Sequence, residues 1–219
     1  MSIQFGPSAG LPAGFAQWQS GSVLLRGHSP SLAANWFGPA QGTLGTNRFD
    51  PPRARTSSDA GGCYLAEGLI GLMHERVFRG ALLPQVSRAN LSAHHAVTEA
   101  TLTRDVVLLD LVVAIAVHGL QLSDITAPPL LAPHAPLRYP ATQGMAGAWA
   151  AINASAGFAG APGGQVDGIL YVSRFGPSER CVMLWDLASS ALRWGSAQPL
   201  GSHPGLSAAC GALGVREVP

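Results

Sequence analysis

Short apolar runs, separated by unequal stretches bearing Gly and Pro, limit what this chain can build. Five of them read as strands: residues 22–26 (SVLLR), 63–66 (CYLA), the start of 106–117 (VVLLDLVVAIAV), 167–172 (DGILYV) and 181–187 (CVMLWDL). Two segments carry helical spacing instead. In residues 67–79, Leu69, Leu72, Met73, Arg76 and Val77 fall near one face, and residues 142–156 form a second helix with Thr142 as its N-cap. Strands lead, and helices are inserted without regular alternation, so an α+β fold is expected rather than a doubly wound one. The remaining stretches read as connections. Residues 1–20 form an irregular arm and residues 27–47 a long loop, a type that is usually functional or disordered. The prolines of RFDPP (residues 48–52) fix a turn, and the five prolines in residues 126–140 require a loop. Residues 80–96 show no pattern, and the stretch from Ala188 reads as peripheral. The organisation expected is one domain over 21–187, an N-terminal arm over 1–20 and a C-terminal extension over 188–219.

Composition excludes several classes. Hydrophobic residues make up 47% and charged residues 11%, which opposes a disordered chain. Net charge is +1 with no basic stripe, so no direct DNA binding is expected. All thirteen cations are arginine, and the lack of lysine rules out a phosphate loop ending in Gly-Lys-Ser/Thr. Three widely spaced cysteines suggest neither a disulfide framework nor a zinc site. The N-terminus lacks the basic and apolar regions of a signal peptide. The longest apolar run, residues 106–117, is broken by Asp110 and is too short to span a bilayer. A cytoplasmic protein without a membrane segment is the expectation.

No GxGxxG follows a strand, and there is no GxSxG elbow. His94 and His95 are adjacent, so on a helix they would diverge, and no metal site is expected. The informative positions lie at strand ends beside loops, where binding sites are often built. Arg26 ends one strand, Arg48 closes the long loop, and Ser173 ends another strand. Each has an ordinary reading by itself: Arg26 as a surface cation, Arg48 paired with Asp50 or Asp59, Tyr64 as core, Glu75 paired with Arg79, Ser173 as a turn cap.

Order and spacing add to this. LLRGH around Arg26, TNRFDPP around Arg48, CYLAEGLIGLMHERV from Cys63 to Val77 and DGILYVS ending at Ser173 together resemble the RES family. In that family a glutamate follows the Tyr-Leu-Ala tyrosine by eleven residues, the interval between Tyr64 and Glu75, which selects Glu75 over the nearer Glu67. Thr142-Gln143 and the LWD of residues 184–186 also match. The chain departs from the pattern at Gly27-His28, at Gly45-Thr46-Asn47, and at Gly71 and His74. The resemblance implies a fold like that of ADP-ribosyltransferase toxins. It implies an enzyme that breaks the nicotinamide–ribose bond of NAD⁺, an NAD⁺ phosphorylase or glycohydrolase. NAD⁺ is then substrate, inorganic phosphate a co-substrate or water the acceptor, and no further cofactor is needed. It also implies a toxin whose partner is an Xre-type antitoxin. Arg26, Arg48, Tyr64 and Ser173 would bind NAD⁺, with Glu75, Arg48 and Arg26 catalytic. Transfer to a protein acceptor and a non-catalytic binding module stay open as alternatives.

Overall fold

The computed structural model describes residues 11, 14–51, 54–78, 85–111, 139–173 and 176–219. Nine strands form one sheet, in the order β1 (Phe15–Trp18), β6 (Val106–Asp110), β7 (Gly168–Ser173), β8 (Gly176–Trp185), β3 (Gly62–Ala66), β2 (Val23–His28), β5 (Ala96–Leu102), β10 (Gln198–Pro199), with β9 (Leu192–Trp194) also on β5. All pairs are antiparallel except β6 with β7. A separate parallel pair joins β4 (Gln85–Ser87) to β11 (Arg216–Val218). The helices are α1 (Leu69–Arg76), α2 (Arg88–His94), α3 (Pro140–Ser155) and α4 (Leu206–Leu213). Among the described residues no helix is long and apolar enough to cross a membrane.

The sheet is buried on both faces, which is why its strands read as continuous apolar runs. Cys181, Met183 and Trp185 face one core cluster, with Leu72 and Met73 of α1 and Trp149 of α3, while Val182 and Leu184 face the other. The second cluster joins Leu24 of β2 and Ala100 and Leu102 of β5 to Leu108 and Leu170 of β6 and β7, so the sheet curls around it. Mixed α+β architecture follows as expected.

Several local expectations change. The N-terminal arm contains β1, an edge strand pairing Phe15–Trp18 with Val106–Leu109. Residues 80–96 hold β4 and α2, capped by the Ser87 hydroxyl accepting from the Asn90 amide. Both elements are too short to show a period. Helix α3 starts at Pro140 with Tyr139 as N-cap, and Thr142 lies one turn in, its hydroxyl donating to the Tyr139 carbonyl at 3.4 Å. The stretch after Ala188 is integral to the sheet: it supplies β9 and β10, and Leu200, Leu206, Cys210 and Val215 to the core. Residues 112–138, which include the end of the long apolar run and most of the proline-rich loop, lie outside the described residues, as does Arg79.

Candidate active site

A cleft opens where the sheet divides. Strand β2 keeps a six-residue register with β5, and β3 a five-residue register with β8, but β2 and β3 meet only at Leu25↔Ala66. Beyond that pair the two strands splay. Leu25, Arg26, Gly27 and His28 line one wall; Gly62, Tyr64, Leu65 and Ala66 line the other. Leu72, Glu75 and Arg76 of α1, Trp36, Asn47 and Arg48 of the long loop, and Tyr139 and Tyr171 also line it. Four of the five residues singled out by sequence, Arg26, Arg48, Tyr64 and Glu75, therefore share one cleft.

The loop carrying Arg48 is held from several sides. The Tyr64 hydroxyl donates to Asp50 Oδ1 at 2.9 Å and accepts from the Phe49 amide at 3.0 Å. Asp50 Oδ2 accepts from the Asn47 amide at 2.8 Å and from Asn47 Nδ2 at 2.9 Å. From α3, Gln143 Nε2 donates to the Asn47 carbonyl at 3.0 Å. Asp50 thus builds the turn instead of neutralising Arg48. Arg48 is only 7% exposed, lies 5.8 Å over the Tyr171 ring, and its Nη1 has no hydrogen-bond partner among the described residues. A buried guanidinium nitrogen without an acceptor is expensive in a finished core and ordinary in a site awaiting an anion.

Glu75 faces Tyr171. The Tyr171 hydroxyl donates to Glu75 Oε2 at 3.3 Å, and its ring packs edge-on against Phe49 at 4.9 Å. Burial, reinforced by the Glu75 charge, pushes the Tyr171 phenol well above its ordinary pKa, so it remains a donor that orients the carboxylate. Gly27 lets α1 approach: a Cβ there would meet Arg76 Cγ and Leu72 Cγ, each at 3.1 Å. The departure from the family pattern at this position is thus a packing device.

Arg26 is buried and engaged. Its Nη1 donates to the Ala34 carbonyl and to Cys63 Sγ, its Nη2 donates to the Trp36 carbonyl, and its plane lies over Trp194 at 5.6 Å. Burial pushes the Cys63 thiol up to about 12 despite the adjacent guanidinium. Next to Arg26, His28 Nε2 meets Thr98 Oγ1 at 2.9 Å, and burial lowers its pKa, with Arg26 adding to the shift. Ser173 is fully buried at the end of β7 and does not line the cleft. Glu67 does not line it either. Sequence reasoning missed Tyr171, Tyr139, Trp36 and Arg76. Tyr171 was hidden inside an apolar strand, and its one signal was its position two residues before Ser173. Arg76 had the signal of adjacency to Glu75.

The RES domain model matches residues 23–201, which takes in every strand and helix around the cleft. No curated protein sequence matches the chain significantly. Among solved structures, a chain from the crystal structure of the M. tuberculosis MbcT–MbcA toxin–antitoxin complex is similar in fold, with a TM-score of 0.53 at 15% identity, over 84% of this chain and 86% of that one. With the ordered motifs, the cleft between β2 and β3 and the family match over most of its length, the chain belongs to the RES domain family.

Proposed function

We propose that this protein is a cytoplasmic enzyme that cleaves the nicotinamide–ribose bond of NAD⁺, an NAD⁺ phosphorylase or glycohydrolase, and acts as a toxin restrained by an Xre-type antitoxin. The supporting observation is one cleft in which buried Arg48, whose Nη1 has no hydrogen-bond partner among the described residues, lies over the ring of Tyr171 while the carboxylate of Glu75 meets the hydroxyl of the same tyrosine. The residue types suit the reaction. When the N-glycosidic bond breaks, its electron pair goes to the nicotinamide nitrogen, which becomes neutral, and positive charge develops at C1′ of the ribose. Glu75 stabilises that charge and holds a ribose hydroxyl, as carboxylates do in glycoside cleavage. Arg48 binds a phosphate by a two-pronged, charge-assisted contact. The acceptor oxygen, from phosphate or water, then bonds to C1′, and any proton it releases passes through Glu75 to solvent. Tyr64 anchors the Arg48 loop, and Ser173, buried at the end of β7, does not line the cleft. The antitoxin partner rests on the toxin–antitoxin complex in which the similar fold was solved.

Incubation of the purified protein with NAD⁺, with and without inorganic phosphate, tests this reading. Nicotinamide release is expected, with phosphorylated ADP-ribose or free ADP-ribose identifying the acceptor. No release under either condition overturns the enzymatic reading, and label from NAD⁺ retained on a protein moves the acceptor to a protein. Expression in bacteria without a partner should arrest growth as NAD⁺ falls; normal growth overturns the toxin role.

A further inference from the structure

We infer that Trp36 is the stacking platform for the adenine ring of the dinucleotide, at the end of the cleft away from Glu75. This rests on the reading of the cleft as an NAD⁺ site. The chain has five tryptophans. Trp18, Trp149 and Trp185 are buried in the two core clusters, and Trp194 is half-buried with Arg26 over its ring. Trp36 is 37% exposed and lines the cleft. A single exposed apolar side chain on a loop ordinarily needs no explanation. This one is held in place. Arg26 Nη2 donates to the Trp36 carbonyl, and the Trp36 amide donates to the Ala33 carbonyl at 3.1 Å. Two residues on, the Gly38 amide donates to the Gly62 carbonyl at 3.1 Å and the Gly62 amide donates back at 2.7 Å. The indole lies against Gly38, where an added Cβ would collide with Cη2 and Cζ3 of the six-membered ring. A bare glycine seats the ring and a buried guanidinium pins its backbone, so little freedom is lost when a ligand covers it.

The register of the sheet selects the ring that reaches Trp36. Tyr171 pairs with Cys181 and Cys181 with Ala66, so the phenol that meets Glu75 stands at the level of Ala66, where β2 and β3 still pair. Gly62 lies four residues away along β3, about 13 Å at the ordinary rise of a strand. The Gly38–Gly62 bridge therefore sets the Trp36 loop at the wide end of the cleft. Nicotinamide is bonded to the same C1′ whose charge Glu75 stabilises, so it stays at the Ala66 end. The ring left to reach Trp36 is the base at the other end of the diphosphate. Tyr64, midway between Gly62 and Ala66, holds the Arg48 loop through Phe49 and Asp50, which sets the phosphate-binding arginine between the two ring sites. On the Trp36 loop the neighbouring lining residues, Ser29, Leu32 and Gly38, carry no charge. Adenine is flat and uncharged, and an indole offers it the largest stacking surface of any side chain.

The test is titration of the full-length protein with ADP-ribose, which carries adenine and lacks nicotinamide, for wild type, W36A, W36L and W36F. Binding is read by calorimetry in all four and by tryptophan fluorescence in the wild type and W36A. ADP-ribose should quench the solvent-exposed emission of the wild type and shield it from acrylamide, and W36A should lose that response. W36A should bind about tenfold more weakly, the loss expected for one unstacked base, with a Tm close to that of wild type. W36F should recover most of the affinity because it keeps an aromatic face, and W36L should not. In turnover of NAD⁺, W36A should raise KM and leave kcat nearly unchanged. Wild-type affinity for ADP-ribose in W36A overturns the assignment, and a lost kcat beside that affinity would seat nicotinamide on the indole instead. Equal affinity in W36L and W36F overturns stacking in favour of plain apolar cover. Failure of the wild type to bind ADP-ribose overturns the NAD⁺ reading itself.

Discussion

Tyr171 is met from two sides, by the Arg48 guanidinium over its ring and by the Glu75 carboxylate at its hydroxyl. The two groups depend on it in different ways, and paired substitutions separate them. Glu75→Gln keeps shape and removes charge, and nicotinamide release should fall on the order of 10²-fold or more with the fold intact. Tyr171→Phe keeps the ring against Phe49 and Arg48 and removes only the donor to Glu75. Its loss should be smaller, about tenfold, with stability within ~1.5 kcal/mol of wild type. Equal turnover in Tyr171→Phe and wild type would show that Glu75 needs no orientation from this phenol. The histidines set the response to acid. Burial, then the charges of Arg76 and His94, lowers His95 to about 4 from an ordinary 6.5. Its folded pKa is depressed, so the unfolded chain binds the proton first as pH falls. Stability linked to His95 is complete above about 6.5 and drains away down to about 4. His28, His74 and His203 are shifted in the same direction, mainly by burial. Thermal melts from pH 7 to 4 should show falling Tm, and His95→Gln should flatten the fall; an identical profile in that variant would remove His95 from the cause. At this scale the sequence revealed Arg48, Tyr64 and Glu75 through spacing. It concealed Tyr171, because a tyrosine inside DGILYVS reads as core.

Helix α1 is short, has no side-chain N-cap, and owes its place to packing rather than propensity. Leu72 and Met73 are buried against the sheet, and the bare backbone of Gly27 allows the close approach on β2. Since a single added Cβ already meets Leu72 and Arg76 at 3.1 Å, Gly27→Val should push the helix outward. The expected destabilisation is ~1–3 kcal/mol, the range for overpacking, together with weakened ligand binding as Glu75 and Arg76 move. Chemical denaturation and ADP-ribose titration check both halves; wild-type stability would mean that α1 adjusts without strain. The period-3.6 pattern predicted this helix well enough. Gly27 could be noted in the sequence as a departure, but its reason required the partner helix. The α2 and β4 elements left no trace, since seven and three residues are too few to establish a period.

Across the whole molecule, the C-terminal segment closes the fold. Strand β9 pairs with β5 from Leu102↔Leu192 to Ala100↔Trp194, and this brings Trp194 beneath Arg26. Arg88 of α2 donates to the Gly201 carbonyl at 2.9 Å and to Ser207 Oγ at 2.9 Å, and pairs with Glu217. Ending the chain after Ala191 would remove these contacts together with the core residues Leu192, Leu200, Leu206, Ala209, Cys210 and Val215. Such a fragment should show no cooperative thermal transition by circular dichroism. A folded fragment that still released nicotinamide would make the segment dispensable.

The sequence alone determined the class of the fold and the order of its motifs. Both are written in local terms: apolar runs for doubly buried strands, helical spacing for α1 and α3, and the interval from Tyr64 to Glu75. It also marked Arg48, because a long loop ending in Arg-Phe-Asp-Pro-Pro must present something fixed. Tertiary structure decided which side chains surround each arginine of the cleft. Arg26 and Arg76 are the same side chain in the sequence, and Arg26 sits in the stronger motif. Only the fold brings Ala34, Trp36, Cys63 and Trp194 around one of them, and Gly27 beneath the other. Those neighbours come from four separate elements and loops, so the distinction arises from long-range packing, which no local pattern encodes.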